Sequence, residues 1–114
     1  MNRLTLIRYF DIIGNMETQD AVEALSALAQ ESRLEIFRLL VRKGPQGSSP
    51  GELSETMEIP PATMSFHLKE LSRAGLLTSR REGRSIIYSA NFDGMRILID
   101  FLLENCCSEN GGKC

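Results

Sequence analysis

Apolar positions along this chain fall into short periodic runs separated by Gly, Pro and Ser. Over residues 21–30, Val22, Leu25, Leu28 and Ala29 recur at helical spacing, with Asp20 placed to cap the N-terminus. A second helix is predicted from Glu31 or Ser32 to Lys43. It carries Leu34, Phe37, Leu40 and Val41 on one face, with Ile36 and Leu39 widening the stripe. Gly44-Pro45 stops it and Gly47-Ser48-Ser49 extends the loop. Ser49-Pro50-Gly51-Glu52 is a capping box with Pro at the first helical position, so it opens a short helix to about Met57. Ile59-Pro60-Pro61 forces a turn, because a proline disfavours helical backbone in the residue before it. The next helix, about 61–74, turns Met64, Leu68 and Leu71 inward and ends at Gly75, a left-handed cap. Leu76 to Arg81 and Arg84 to Ser89 read as two strands around Glu82-Gly83. A last helix, Phe92 to Asn105, sets Met95, Leu98, Ile99, Leu102 and Leu103 on one side, with Ile97 and Phe101 away from that centre. So wide an apolar surface predicts burial against two bodies, the chain's own core and a second subunit.

These elements predict a mainly α fold with a small β-hairpin. Short helix, tight turn, helix and hairpin is the order of a winged helix-turn-helix, in which a helix and a wing each address a DNA groove. On a wheel centred on Met64, the outward side of the 61–74 helix carries Ala62, Phe66, Lys69 and Arg73, flanked by Thr63 and Ser65. Small hydroxyl side chains in the first turns can approach base edges, and Lys69 and Arg73 can reach phosphates. The hairpin adds Arg80, Arg81 and Arg84 around one turn. Phe66 is placed to meet a thymine methyl or solvent.

Charge sharpens this picture. The 114 residues carry a net charge of −2, which argues against a nonspecific polycation. Residues 62–96, however, hold six basic side chains against three acidic ones, whereas residues 1–61 hold six against nine. A local basic segment in an acidic protein attracts a polyanion at one place only. No apolar run approaches the ~18 residues of a membrane span, and Leu4 to Ile13, broken by Arg8 and Asp11, does not read as a signal peptide. With three cysteines and no export signal, a structural disulfide framework is not expected, and the chain reads as cytoplasmic.

The runs ALAQESRLEIFRLL (Ala27–Leu40) and IPPATMSFHLKELSRAGLLTSRREGRSIIYS (Ile59–Ser89), followed by the final helix, resemble the ArsR/SmtB family of bacterial winged-helix repressors. The resemblance covers roughly residues 17–107. It implies a homodimer, paired through its first and last helices, that occupies double-stranded operator DNA and leaves when an inducer binds. It also admits His67 near the DNA, since Ser65-Phe66-His67-Leu68 fits the family's pattern of a hydroxyl residue, any residue, histidine and leucine. On its own, this single histidine beside Met64 and Leu71 reads as a structural or hydrogen-bonding residue. The division that follows is an N-terminal extension over 1–15, either an added helix or a stretch before a start at Met16. The winged-helix and dimerisation domain then occupies 16–107, and a flexible cysteine-bearing tail 108–114.

Departures from the family pattern point to the inducer. Many arsenic-responsive members carry a cysteine pair in the helix that begins here at Ser49, and this chain has none there. Zinc-sensing members use histidines and carboxylates on the last helix, which here offers Asp93, Asp100 and Glu104 without a histidine. What remains is ENCCSENGGKC, with Cys106, Cys107 and Cys114. A subgroup of arsenic-responsive repressors has its thiols at the C-terminus in this way. Three soft thiolates suit trivalent arsenic or antimony, and Gly111-Gly112 lets Cys114 fold back. The alternative is a redox or persulfide switch, with Cys114 bridging to either neighbour because adjacent cysteines strain a shared ring. A thiol enzyme is not expected: no Gly-rich anion loop is present, and His67 is far from the cysteines in sequence. A winged helix used only for protein contacts fits the arginines of the hairpin less well.

Overall fold

The computed structural model describes residues 16–114, so the expected N-terminal extension lies outside the described residues. Numbered from the first described element, α1 spans Thr18–Leu28, α2 Glu31–Lys43, α3 Pro50–Met57, α4 Pro61–Arg73 and α5 Phe92–Leu103. Between α4 and α5 lies an antiparallel hairpin, β1 Leu77–Glu82 and β2 Ser85–Ala90, with Leu77 opposite Ala90 and Glu82 opposite Ser85. Short 3-10 turns follow α2 (Gly44–Gln46) and α5 (Ser108–Asn110). No described helix is long and apolar enough to cross a membrane. The architecture is that of a winged helix-turn-helix.

Local chemistry sets most boundaries. At α3, the Ser49 hydroxyl accepts from Glu52 N–H (3.2 Å), and the Glu52 carboxylate accepts from Ser49 N–H (3.2 Å) and the Ser48 hydroxyl (3.1 Å). These donors, Ser49 N–H foremost, hold the Glu52 carboxyl below its ordinary value. The left-handed end of α4 falls at Gly75, φ +83°. One cap differs from expectation: Glu17 precedes α1, and Asp20, three residues on, accepts the Glu17 N–H at 3.0 Å. The hairpin turn is also shifted by one residue. Gly83 and Arg84 form it, and Gly83 supplies the positive φ (+63°) that a two-residue loop requires.

Ile36, Leu40, Leu53, Met64, Leu68, Leu71 and Leu76 are almost wholly buried and form the centre of one core. The α4 stripe is therefore the expected one. The α2 stripe is the expected one only in part, and the α1 stripe is not. α1 buries Ala21, Ala24 and Ala27, while Val22 and Leu25 are 53% and 43% exposed. α2 buries Ile36, Phe37 and Leu40, and leaves Leu34 and Val41 exposed. Alanines let α1 approach its neighbours closely, so its larger apolar residues are turned outward. On α5, Leu98 is buried, but Ile99, Leu102 and Leu103 are 47%, 56% and 60% exposed. Contiguous bare apolar surface of this kind marks an interaction face.

Candidate DNA interface and thiol cluster

α4 presents Thr63, Ser65, Phe66, Lys69 and Arg73 to solvent. Arg73 pairs with Glu70 one turn back (3.2 Å), and Lys69 makes no ion pair among the described residues. Phe66 is 55% exposed, an unusual place for a large apolar ring that has no core to join. His67 is the exception in this group. Its side chain is buried, with Nδ1 3.3 Å from an Arg33 guanidinium nitrogen. Arg33 is always a donor, so Nδ1 must accept, which places the ring proton on Nε2. Burial first, and the Arg33 charge second, hold the imidazole below its ordinary pKa. Arg33 also donates to the Ala27 carbonyl at 2.7 Å, tying the end of α1 to α4. The structure thus places His67 behind the outward face. It braces that face, as the lone-histidine reading expected, and does not line it. Arg33 carried no signal in the sequence, because its partners lie 6 and 34 residues away.

The three wing arginines divide in the same way. Arg81 and Arg84 are exposed beside the turn and make no ion pair among the described residues. Arg80 is engaged at the base of the hairpin. Its guanidinium donates to the Glu82 carboxylate (2.8 Å) and to the carbonyls of Pro45 (3.1 Å) and Gln46 (2.9 Å). The Ser89 hydroxyl donates to the same Pro45 carbonyl (3.1 Å). Ser48 and Tyr88 exchange two backbone hydrogen bonds of 2.9 and 2.8 Å, so the loop before α3 adds a third, one-residue edge to the sheet. Gly47 permits this approach. It has φ +68°, and a β-carbon there would collide with the Tyr88 carbonyl. The wing is therefore fastened to the helix-turn-helix by polar contacts at its base, with Arg81 and Arg84 left at its tip.

The third group lies at the far end of α5. The sulfurs of Cys106, Cys107 and Cys114 all lie within 4.8 Å of one another. Cys107 and Cys114 are joined by a disulfide, and Cys106 is a free, exposed thiol 3.5 Å from each of their sulfurs. The segment after α5 forms a loop closed by this bond. Gly112 N–H donates to the Cys107 carbonyl (2.9 Å) and the Asn110 side chain to the Lys113 carbonyl (2.9 Å). Gly111 and Gly112 turn the chain back at φ +65° and +79°. This donor set is sulfur only, which suits a soft, thiophilic ion and not the mixed nitrogen and oxygen sphere of a catalytic zinc.

A helix, a tight turn, a second helix with a polar outer face and a wing with a cationic tip define a DNA-binding transcriptional regulator. The model of a helix-turn-helix domain family matches residues 28–80. The transcriptional activator HlyU of Vibrio cholerae is 33% identical over 90 residues, covering 79% of this chain and 81% of that protein. A Halobacterium salinarum protein described as an arsenical resistance operon repressor, ArsR, is 33% identical over 86 residues, covering 75% of this chain and 66% of its own. Among solved structures, an ArsR-like transcriptional regulator from Rhodococcus sp. RHA1 is similar with a TM-score of 0.69 and 26% identity, over 82% of this chain and 84% of that one. The chain belongs to the ArsR/SmtB family of winged-helix regulators. It is a transcriptional regulator and not an enzyme.

Proposed function

We propose that this protein is a homodimeric repressor that occupies operator DNA and is released when trivalent arsenic or antimony binds Cys106, Cys107 and Cys114. One observation carries the reading: three sulfurs converge at the end of α5, the helix whose Ile99, Leu102 and Leu103 are bare. The exposed Val22 and Leu25 of α1 and those three residues of α5 supply the apolar face that a second copy covers. In the dimer, α4 enters the major groove with Thr63, Ser65 and Phe66 toward base edges and Lys69 and Arg73 toward phosphates. Arg81 and Arg84 hold the neighbouring backbone. Arg80 and His67 keep the wing and α4 in place from behind.

Metalloid binding requires the reduced thiols, so the Cys107–Cys114 bond must first open. Three thiolates then close on one ion and draw the loop against α5, displacing the helix that carries the dimer face. Release follows only if the ion binds the free dimer more tightly than the DNA-bound one. The relative described as an arsenical resistance repressor supports this inducer. The test is fluorescence anisotropy of labelled DNA from upstream of the gene, titrated with reduced protein and then arsenite. Binding followed by release near stoichiometric arsenite is expected. C106S and C107S variants should bind the DNA and fail to leave it. Release that survives both substitutions places the inducer site elsewhere.

A further inference from the structure

We propose that the three thiols form a redox interlock, in which oxidation withdraws two ligands from the metalloid and Cys106 keeps the disulfide exchangeable. The metalloid half of this inference rests on the function proposed above; the exchange half does not. The starting observation is that the donor set and the disulfide share atoms. Cys107 and Cys114 are bonded, and the remaining thiol sits 3.5 Å from both sulfurs. A metalloid needs three thiolates here, and the oxidised loop has only one to give.

The loop is shaped for both states. The turn at Ser108–Asn110, the Gly112 N–H bond to the Cys107 carbonyl and two glycines at positive φ return Cys114 to the helix end. Oxidation by a hydroperoxide balances simply. One thiolate attacks the peroxide oxygen, giving a sulfenic acid and an alcohol or water. The second thiol attacks that sulfur, forms the Cys107–Cys114 bond and expels water. Exchange then needs no further oxidant. The Cys106 thiolate attacks the Cys114 sulfur, a Cys106–Cys114 bond forms, the Cys107–Cys114 bond breaks, and its electron pair leaves on the Cys107 sulfur. Attack on the Cys107 sulfur instead would close a ring between adjacent residues, which disulfide geometry disfavours. Cys114 is therefore the shared partner, and Cys106 and Cys107 alternate.

Alternation makes the bond accessible from outside. Cys107 is half-buried and Cys106 is exposed, so the exchanged form offers its disulfide on the open side of the loop. A disulfide that is built to shuttle fits a switch and not a structural staple.

The experiment uses the full-length protein. Reduced protein is treated with equimolar hydrogen peroxide and alkylated with a maleimide, either after mild acidification or after incubation at alkaline pH. The label is then located by fragment-resolved mass spectrometry. In acid the label should sit on Cys106; after alkaline incubation it should divide between Cys106 and Cys107. Label fixed on Cys106 under both conditions overturns the exchange. A C106S variant oxidised in the same way should take no label, and label on its Cys107 would show that the loop does not close. Arsenite retained after desalting is measured in parallel. The reduced protein should hold it, the oxidised protein should lose that retention, and a phosphine reductant should restore it. Equal retention in both states overturns the interlock and leaves the metalloid reading standing. No retention in the reduced state overturns the metalloid reading and the interlock with it.

Discussion

The wing and the last helix leave the same core in opposite conditions. At the base of the wing, polar groups are satisfied: Arg80 spans Pro45, Gln46 and Glu82, Ser89 shares the Pro45 carbonyl, and Ser48 pairs with Tyr88. Along α5, Leu98 and Phe101 pack on the core, whereas Ile99, Leu102 and Leu103 face outward with nothing described against them. One region is finished by the chain itself; the other, on the proposed function, is covered by a second copy. A saturated base holds its tip in position, whereas a bare apolar helix can have its position changed by whatever covers it. On the proposed function, DNA contact and regulation fall to regions of different mechanical character.

The comparison breaks most visibly at the bare face. Leu102→Glu should leave the monomer folded, because that side chain is already 56% exposed, yet abolish pairing. Losing the linkage between two half-site contacts should weaken operator binding by about 10²–10⁴-fold. Sedimentation and anisotropy would check this, and an unaltered dimer would move the interface off α5. At the wing base, Gly47→Ala combines a left-handed φ with a collision at the Tyr88 carbonyl. A stability loss of about 1–3 kcal/mol in urea denaturation is expected. The third test separates the arginines of one hairpin. Arg80→Ala should lower stability by about 1 kcal/mol and leave the salt dependence of DNA binding unchanged. Arg84→Ala should do the reverse, reducing the salt slope by about 1 with no shift in melting. The smallest effect concerns His67. Its pKa is lowered in the folded chain, so the unfolded chain takes up the proton first as pH falls. The stability it contributes is complete above about pH 6.5 and declines below it, and this part of the decline should vanish in His67→Gln.

What the sequence discloses is what its neighbours in sequence decide. The α3 cap needs only Ser49 and Glu52, and the hairpin register only a Gly with strands on either side, so each was readable to within a residue. The outward face of α4 followed from one wheel centred on Met64. The α1 stripe failed for a physical reason. Two apolar faces, Ala21-Ala24-Ala27 and Val22-Leu25, lie on one helix, and periodicity does not say which of them the chain itself covers. Arg80 was legible as a cation but not as a clamp, because its carbonyl partners are 34 and 35 residues distant. The same distance concealed the Arg33–His67 contact. The thiols stood out as a group only beside the family resemblance, and the hydrogen bonds that close their loop are not encoded in their spacing.

Asn91 gives α5 a fixed point. Its side-chain amide donates to the Gly75 carbonyl (2.9 Å), and its side-chain oxygen accepts from Gly94 N–H (3.0 Å), so the start of α5 is bolted to the end of α4. Gly94 leaves no slack there, since a β-carbon would meet the Asn91 amide at 2.6 Å. A helix of 12 residues is a rod of roughly 18 Å, held at one end and, on the proposed function, pulled at the other. Drawing the thiol end sideways by about 2 Å turns such a rod by roughly 6° about its pivot. What reaches α4 is then a twist at its last turn, with little translation, and the DNA-reading helices of a pair would fall out of register by angle before they separated by distance.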